Sequence, residues 1–139
     1  MPRKDFYHET VKRALQRDGW TITADPLNLP FGSTRLECDL AAEKMVATKG
    51  LVEIAVEVKN FRKEEQMNVN ELKNSLGQYQ LYDVILSTEH PNHRLYLAIS
   101  EQAYKTVFSD PVIQVIINRN NMGLIIFDST TETIVTWKH

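Results

Sequence analysis

A mixed α/β fold, with helices packed on a sheet, is what this sequence predicts, and three observations carry the prediction. The run LVEIAVEVKN at 51–60 is rich in β-formers. A helical pattern over about 69–86 and a second apolar run, Arg94–Ile99, follow it. Strand, loop, long helix, strand is the order of a crossover unit with a parallel strand pair.

The chain has 139 residues, which predicts one domain spanning 1–139 with a real core. A hydrophobic content of 42% and a charged content of 24% are ordinary for a globular protein. Net charge is −2 and the pI is about 6.1, so the molecule as a whole carries no polyanion-binding signature. Nucleic-acid contact then needs a local basic patch, or metal ions at an acidic site. Cys38 is the only cysteine, which excludes an intramolecular disulfide and a multi-cysteine zinc cluster. A reducing, cytoplasmic setting is expected. The opening MPRKDFYHETVKRAL is charged throughout, so neither a signal peptide nor a membrane span is expected.

The first element is a helix over roughly 5–18, with Asp5 as N-cap, an apolar stripe of Phe6, Val11, Ala14 and Leu15, and a stop at Asp18-Gly19. Lys12, Arg13 and Arg17 lie on its other surface, with Arg3 and Lys4 just upstream. Singly each reads as part of a solvated face. Together they are the best candidate for contact with a phosphate backbone.

Trp20 and Ile22 predict a short strand, and Asp25-Pro26 and Pro30 through Gly32-Ser33 predict a loop. Thr34–Ala42 alternates Leu36, Cys38 and Leu40 against Arg35, Glu37 and Asp39, as a half-buried strand with Asp39 on its polar face. Cys38 then falls on the apolar side, where a buried, inert thiol is expected. A turn at Lys49-Gly50 allows this strand to pair antiparallel with 51–60. There Glu53, Ala55, Glu57 and Lys59 share one side and the β-branched residues fill the other. Glu57 and Lys59 are about 6–7 Å apart along the strand. Because burying unpaired charge is costly, they should line a cleft, paired or bound to something.

Arg62–Asn68 reads as a loop or helix entry, and the helix after it has a broad buried face built from Val69, Leu72, Leu76, Tyr79 and Leu86. Gly77 costs about 1 kcal/mol there relative to Ala and marks a point of close approach. Gln78 follows it. Arg94–Ile99 is a core strand. Two short helices are expected at 101–108 and 112–120, with Pro111 at a first helical position. Met122–Asp128 and Thr133–Trp137 close the chain as strands.

The polar residues expected to converge are Glu9 or His8 on the first helix, Asp39, Glu57, Lys59 and Gln78. Two carboxylates flanking a cleft hold Mg²⁺ or Mn²⁺ through oxygen, and the backbone carbonyl of Val58 completes the set, with Glu9 as an outer carboxylate. A lysine beside such an ion orients water and stabilises charge on a phosphate in transition. The chemistry this supports is metal-assisted hydrolysis of a phosphodiester. Against it stands the blander interpretation that Glu-x-Lys is a same-face ion pair in a strand, Gln78 an exposed helix residue, His8 a helix-entry histidine, and Tyr79 and Tyr82 core residues. Four scattered histidines argue against a histidine-bound zinc. Glycine-rich phosphate loops, nucleophile elbows and Cys-His pairs have no counterpart here.

The opening MPRKDFYHETVKRALQRDGWTIT, LECDLAAEKMVA, IAVEVKNF, ELKNSLGQYQLYDVIL, RLYLAIS and IIFDSTTETIVTW closely resemble the XisH-type fdxN-element excision controlling factors of cyanobacteria. The resemblance spans nearly the whole chain. Such proteins are in turn similar to the PD-(D/E)xK, restriction-endonuclease-like nucleases. This implies a core of helix, three antiparallel strands, helix and parallel strand (αβββαβ), with flanking helices. It also implies Asp39 as metal-binding aspartate, Glu57 as second carboxylate, Lys59 as catalytic lysine, Glu9 as the acidic residue of the first helix and Gln78 as the polar residue of the second. DNA, an XisI-type companion protein and a site-specific recombinase are the implied partners, and a homodimer is expected by analogy with symmetric nucleases. Two roles follow: an excision-controlling factor that hydrolyses DNA, or a non-catalytic accessory that binds DNA or a companion through the same fold. An acidic cleft that is purely structural is the third option.

Overall fold

The structure is a computed structural model and describes residues 6–60 and 69–138. The expected Asp5 cap, Arg3 and Lys4, and the Arg62–Asn68 segment lie outside the described residues. The first helix, α1 (His8–Arg17), turns His8, Val11, Ala14 and Leu15 inward, the i, i+3, i+7 stripe of an amphipathic helix. It ends at Asp18 and Gly19, whose φ of +93° is the left-handed value that glycine takes without steric cost.

Strands β1 (Thr21–Ala24), β2 (Leu27–Phe31), β3 (Thr34–Cys38), β4 (Leu40–Val46) and β5 (Gly50–Val58) follow. Helix α2 (Val69–Glu89) leads to β6 (His93–Ser100), α3 (Glu101–Thr106), α4 (Pro111–Arg119), β7 (Gly123–Asp128) and β8 (Thr133–Lys138). Six strands form one sheet in the order β1-β4-β5-β6-β7-β8, and β2-β3 form a separate pair. The β1-β4-β5 unit is antiparallel, while β5-β6 and β6-β7 are parallel, as a helical crossover between strands demands.

Both faces of the central strands are buried. Ile54, Val56 and Val58 pack with Val11 and Leu15 of α1, together with Tyr96, Ala98, Ile125 and Phe127. Ala55, Leu95, Leu97, Leu124 and Ile126 point the other way, against Tyr79, Tyr82 and Leu86 of α2 and Ile113 and Ile117 of α4. The two-residue alternation of β5 is therefore as expected, with its charged residues on the face of buried Ala55. Glu57 lies on the α2 side.

Three sequence expectations are corrected. The Asp25–Ser33 segment is not a loop throughout, because Leu27 and Leu29 reach the core and pull 27–31 into a hairpin with β3. Thr34–Ala42 is not one strand but breaks at Asp39, where the chain passes from the hairpin to the main sheet. Gly77 is exposed, and a Cβ there would meet nothing within 4 Å, so it admits no close approach. Pro111 does stand in the first turn of α4, after Asp110 caps the Val112 amide at 2.8 Å. Among the described residues no helix is long and apolar enough to cross a membrane.

Candidate functional site

At the end of β5, Glu57 is 8% exposed, a carboxylate among apolar neighbours. The break at Asp39 brings its partner. Strand β4 begins by pairing Leu40 with Val56, so Asp39 sits beside Glu57 at the point where regular pairing stops. Its side chain takes the place of the missing strand: Asp39 Oδ2 accepts the Val58 amide at 2.8 Å, and the Asp39 amide donates to Glu57 Oε1 at 3.1 Å. Lys59 Nζ stands 3.7 Å from Glu57 Oε2 and is about one-quarter exposed. The Lys59 amide bonds Ala98 of β6 at 3.0 Å, so the alternating backbone of β5 turns the polar groups of Val58 to the Asp39 side.

Burial pushes the Glu57 carboxyl up to about 8, the nearby Asp39 charge adds to this, and Lys59 opposes it. Two carboxylates, one of them buried and able to keep its proton near neutrality, form an oxygen-rich set whose negative charge exceeds what a single ammonium cancels once that proton leaves. That set fits a hard divalent cation, which would replace the proton and neutralise both carboxylates. Neighbouring Cys38 is buried, its thiol pushed well up by burial, and it donates weakly to the Val56 carbonyl at 3.3 Å, as an inert core residue.

Gln78 does not touch this pair. Its Nε2 donates to the Tyr82 hydroxyl at 3.0 Å, and that hydroxyl donates to the Glu37 carbonyl at 3.0 Å, two residues before Asp39. Tyr82 is the link; by sequence alone it is a core residue, although its i+4 spacing from Gln78 on α2 is visible there. Its hydroxyl is pushed up to about 12, by burial first and then by the Glu57 charge.

Glu9 also stands apart from the Asp39–Glu57 pair. It groups instead with His8 and Asp25, whose candidate ligand atoms lie within 4.8 Å of one another. His8 Nε2 is 2.7 Å from Asp25 Oδ1, and Lys12 Nζ is 2.7 Å from Asp25 Oδ2. Burial raises the Asp25 pKa, but the hydrogen bonds from Lys12 and His8 outweigh it and hold the carboxyl below its ordinary range. Asp25 follows Ala24, the partner of Ala41, so this cluster flanks the same end of the sheet as Asp39. Nothing in the sequence singled Asp25 out beyond a loop mark before proline.

The basic cluster of α1 is largely committed to other contacts. Arg13 makes a bidentate pair with Glu132, Arg17 donates to the Thr131 carbonyl and Lys12 holds Asp25. These contacts fasten α1 to the β7–β8 turn and to β1, so three of the five predicted phosphate-binding cations already have partners.

Comparison with known proteins adds the family. The family model described as XisH protein matches residues 1–135. Among solved structures, the chain is similar to an XisH family protein from Nostoc punctiforme PCC 73102, at 37% identity over 97% of this chain and 100% of that one, with a TM-score of 0.85. It is equally similar to a fdxN element excision controlling factor protein from Anabaena variabilis, at 37% identity over 98% of this chain and 100% of the other, with a TM-score of 0.86. No curated protein matches. With nearly its full length matched by the family model and by two solved relatives, the chain belongs to the XisH family.

Proposed function

We propose that this chain is an excision-controlling factor for a DNA element, one whose Asp39–Glu57–Lys59 site hydrolyses phosphodiesters in the manner of PD-(D/E)xK, restriction-endonuclease-like nucleases. The observation that carries the proposal is the 3.1 Å contact that brings Asp39 and Glu57 together, with Lys59 3.7 Å from the same glutamate. The order α1, antiparallel β1-β4-β5, α2 and parallel β6 supports it, with the β2-β3 hairpin as an insertion. The excision-controlling role is supported by the similarity to the fdxN element excision controlling factor protein of Anabaena variabilis.

In this proposal Asp39, Glu57 and the Val58 carbonyl hold Mg²⁺ or Mn²⁺. When bound, the ion supplies Lewis-acid polarisation of the phosphate and a lowered pKa for water. Lys59 carries its ammonium beside the reacting centre, where it orients water and stabilises the negative charge that grows on phosphate oxygens. Glu57 releases its proton on metal binding, and the Val58 amide keeps Asp39 in place. Tyr82 and Gln78 brace the backbone before Asp39. The whole chain, 1–139, acts as one such domain in the cytoplasm, on DNA. An XisI-type companion, a site-specific recombinase and a second copy of the chain are its proposed partners.

A second role, as a non-catalytic accessory, is favoured by the ion pairs that occupy Lys12 and Arg13 and the hydrogen bond that ties Arg17 to the Thr131 carbonyl. With those cations engaged, tight binding to duplex DNA by the chain alone loses its best electrostatic source. Cleavage of plasmid and branched DNA with Mg²⁺ or Mn²⁺ separates the two. Wild-type cleavage that is lost in Glu57→Gln and Lys59→Ala supports hydrolysis; DNA or companion binding with no cleavage supports the accessory role.

A further inference from the structure

Strands β2 and β3 stand outside the main sheet, and their hairpin ends where the candidate site begins: Leu27 pairs with Cys38, and Asp39 is the next residue. The root is firmly held. Leu27 and Leu29 belong to the core, and the Tyr82 hydroxyl bonds the Glu37 carbonyl at 3.0 Å. The tip is Gly32-Ser33, a two-residue connection between Phe31 and Thr34 in which Gly32 takes a φ of +59°. Tight hairpin turns demand such a value. A Cβ on Gly32 would meet nothing within 4 Å, so the turn opens onto solvent.

Phe31 departs from the pattern of its own strand. Residues 27, 29 and 31 share one face of β2, yet Leu27 is 9% exposed, Leu29 fully buried and Phe31 53% exposed. The apolar face of the hairpin thus runs past the edge of the core and ends on an uncovered ring, which forgoes the stabilisation that burial would give. Arg35, opposite Pro30, is exposed on the other face, and its side chain makes no hydrogen bond or ion pair among the described residues. In this it differs from Lys12, Arg13 and Arg17, whose charges are engaged. Ring and guanidinium therefore flank one turn, roughly 16 Å along β3 from Asp39, or about five base steps of DNA.

We infer that the hairpin tip is a nucleic-acid contact, in which the Phe31 ring stacks on a DNA base left unpaired at a bulge or branch while Arg35 meets an adjacent phosphate. This rests on the reading that the chain acts on DNA, and not on hydrolysis. Every base has a flat face that an aromatic side chain covers regardless of sequence, and a guanidinium matches phosphate geometry. In a paired duplex the base must first be unstacked, at a cost that a bulged base largely avoids. One ring and one cation are too small for a stable protein interface, which buries about 800 Å² on each side. A single stacked base fills them. The tip thus selects DNA with an unpaired base and sets the phosphodiester nearest Asp39 and Glu57 about five nucleotides away.

Fluorescence anisotropy with two labelled DNAs, a duplex carrying a bulge and the same duplex fully paired, tests this. The full-length Lys59→Ala chain is used with Mg²⁺, so that the strands stay intact during binding. It should bind the bulged duplex about tenfold more tightly than the paired one. Adding Phe31→Ala should abolish that preference and leave the paired duplex bound as before, whereas adding Phe31→Trp should keep it. Adding Arg35→Ala should weaken both DNAs alike and lower the salt dependence of binding. The inference is overturned if the parent chain shows no preference, if Phe31→Ala binds the bulge as its parent does, if Phe31→Trp binds it no better than Phe31→Ala, or if Arg35→Ala binds both DNAs unchanged. Cleavage of the same DNAs by the wild-type chain scores hydrolysis separately. A bulge preference lost in Phe31→Ala, with no cleavage by wild type, removes the hydrolase reading and leaves this inference standing; cleavage indifferent to Phe31→Ala does the reverse.

Discussion

Asp39 Oδ2 accepts the Val58 amide at 2.8 Å, filling with a side chain the ladder position that a continued strand would have filled with backbone. The same residue's amide holds Glu57, so the pair is locked from both directions. Replacement of Asp39 by Ala should leave the Val58 amide without this partner. The expected loss is about 1–3 kcal/mol, measured by urea unfolding.

Glu57 has a pKa of about 8 in the folded chain, raised by burial and by Asp39, against about 4.3 when unfolded. Between those values the folded state keeps a proton that the unfolded state has released. Stability therefore falls as pH rises through this window. Glu57→Gln should flatten that dependence and, without metal, melt higher than wild type at pH 8, on the order of 3 °C or more. Melting curves from pH 5 to 9 check it. Mg²⁺ or Mn²⁺ should stabilise wild type most at the alkaline end and release protons on binding.

Lys59 contributes charge to the proposed reaction rather than a ligand to the ion. Lys59→Ala should lower cleavage by about 10²-fold or more while metal affinity stays close to that of wild type. Parallel nuclease assays and calorimetry test the split. Loss of both together would assign Lys59 to metal binding instead.

Tyr82 joins α2 to the Glu37 carbonyl and receives Gln78, so its hydroxyl bears on the backbone that positions Asp39. Tyr82→Phe should cost about 1 kcal/mol, because the part-buried Glu37 carbonyl loses its donor. It should also weaken metal binding more than Tyr79→Phe does. The Tyr79 hydroxyl bonds the Leu95 carbonyl and the Gly123 amide, at strands remote from Asp39.

The Arg13–Glu132 pair fastens α1 to the turn before β8. Arg13→Ala should lower stability only slightly, with the loss shrinking at high salt, as expected for an exposed ion pair. DNA affinity should barely change if this pair persists in the complex. A strong fall in affinity, with a smaller salt dependence of binding, would show that Arg13 leaves Glu132 to meet phosphate.

Much of this arrangement was legible in the residues themselves. The alternation of LVEIAVEVKN assigns Glu57 and Lys59 to one face, the Lys49-Gly50 turn returns that strand against Asp39, and the helical stretch before RLYLAI makes the next strand parallel. These are local rules of period, turn and crossover, which neighbouring side chains obey wherever the segment sits.

What tertiary contact decided is of another kind. The hairpin of Leu27–Phe31 was hidden behind prolines and a glycine because its strand character comes from burying Leu27 and Leu29 against α2, not from its own composition. Arg13 and Glu132 are 119 residues apart, so no spacing rule joins them, yet their contact turns an apparent phosphate-binding face into a clasp. Glu9 and Gln78 fall near the candidate site but not on its carboxylates, since helix packing fixes their reach. The sequence determined which residues share a face. Only the folded chain decided which charges are spent on one another and which are left to bind something else, because pairing energy depends on distances set by the whole core.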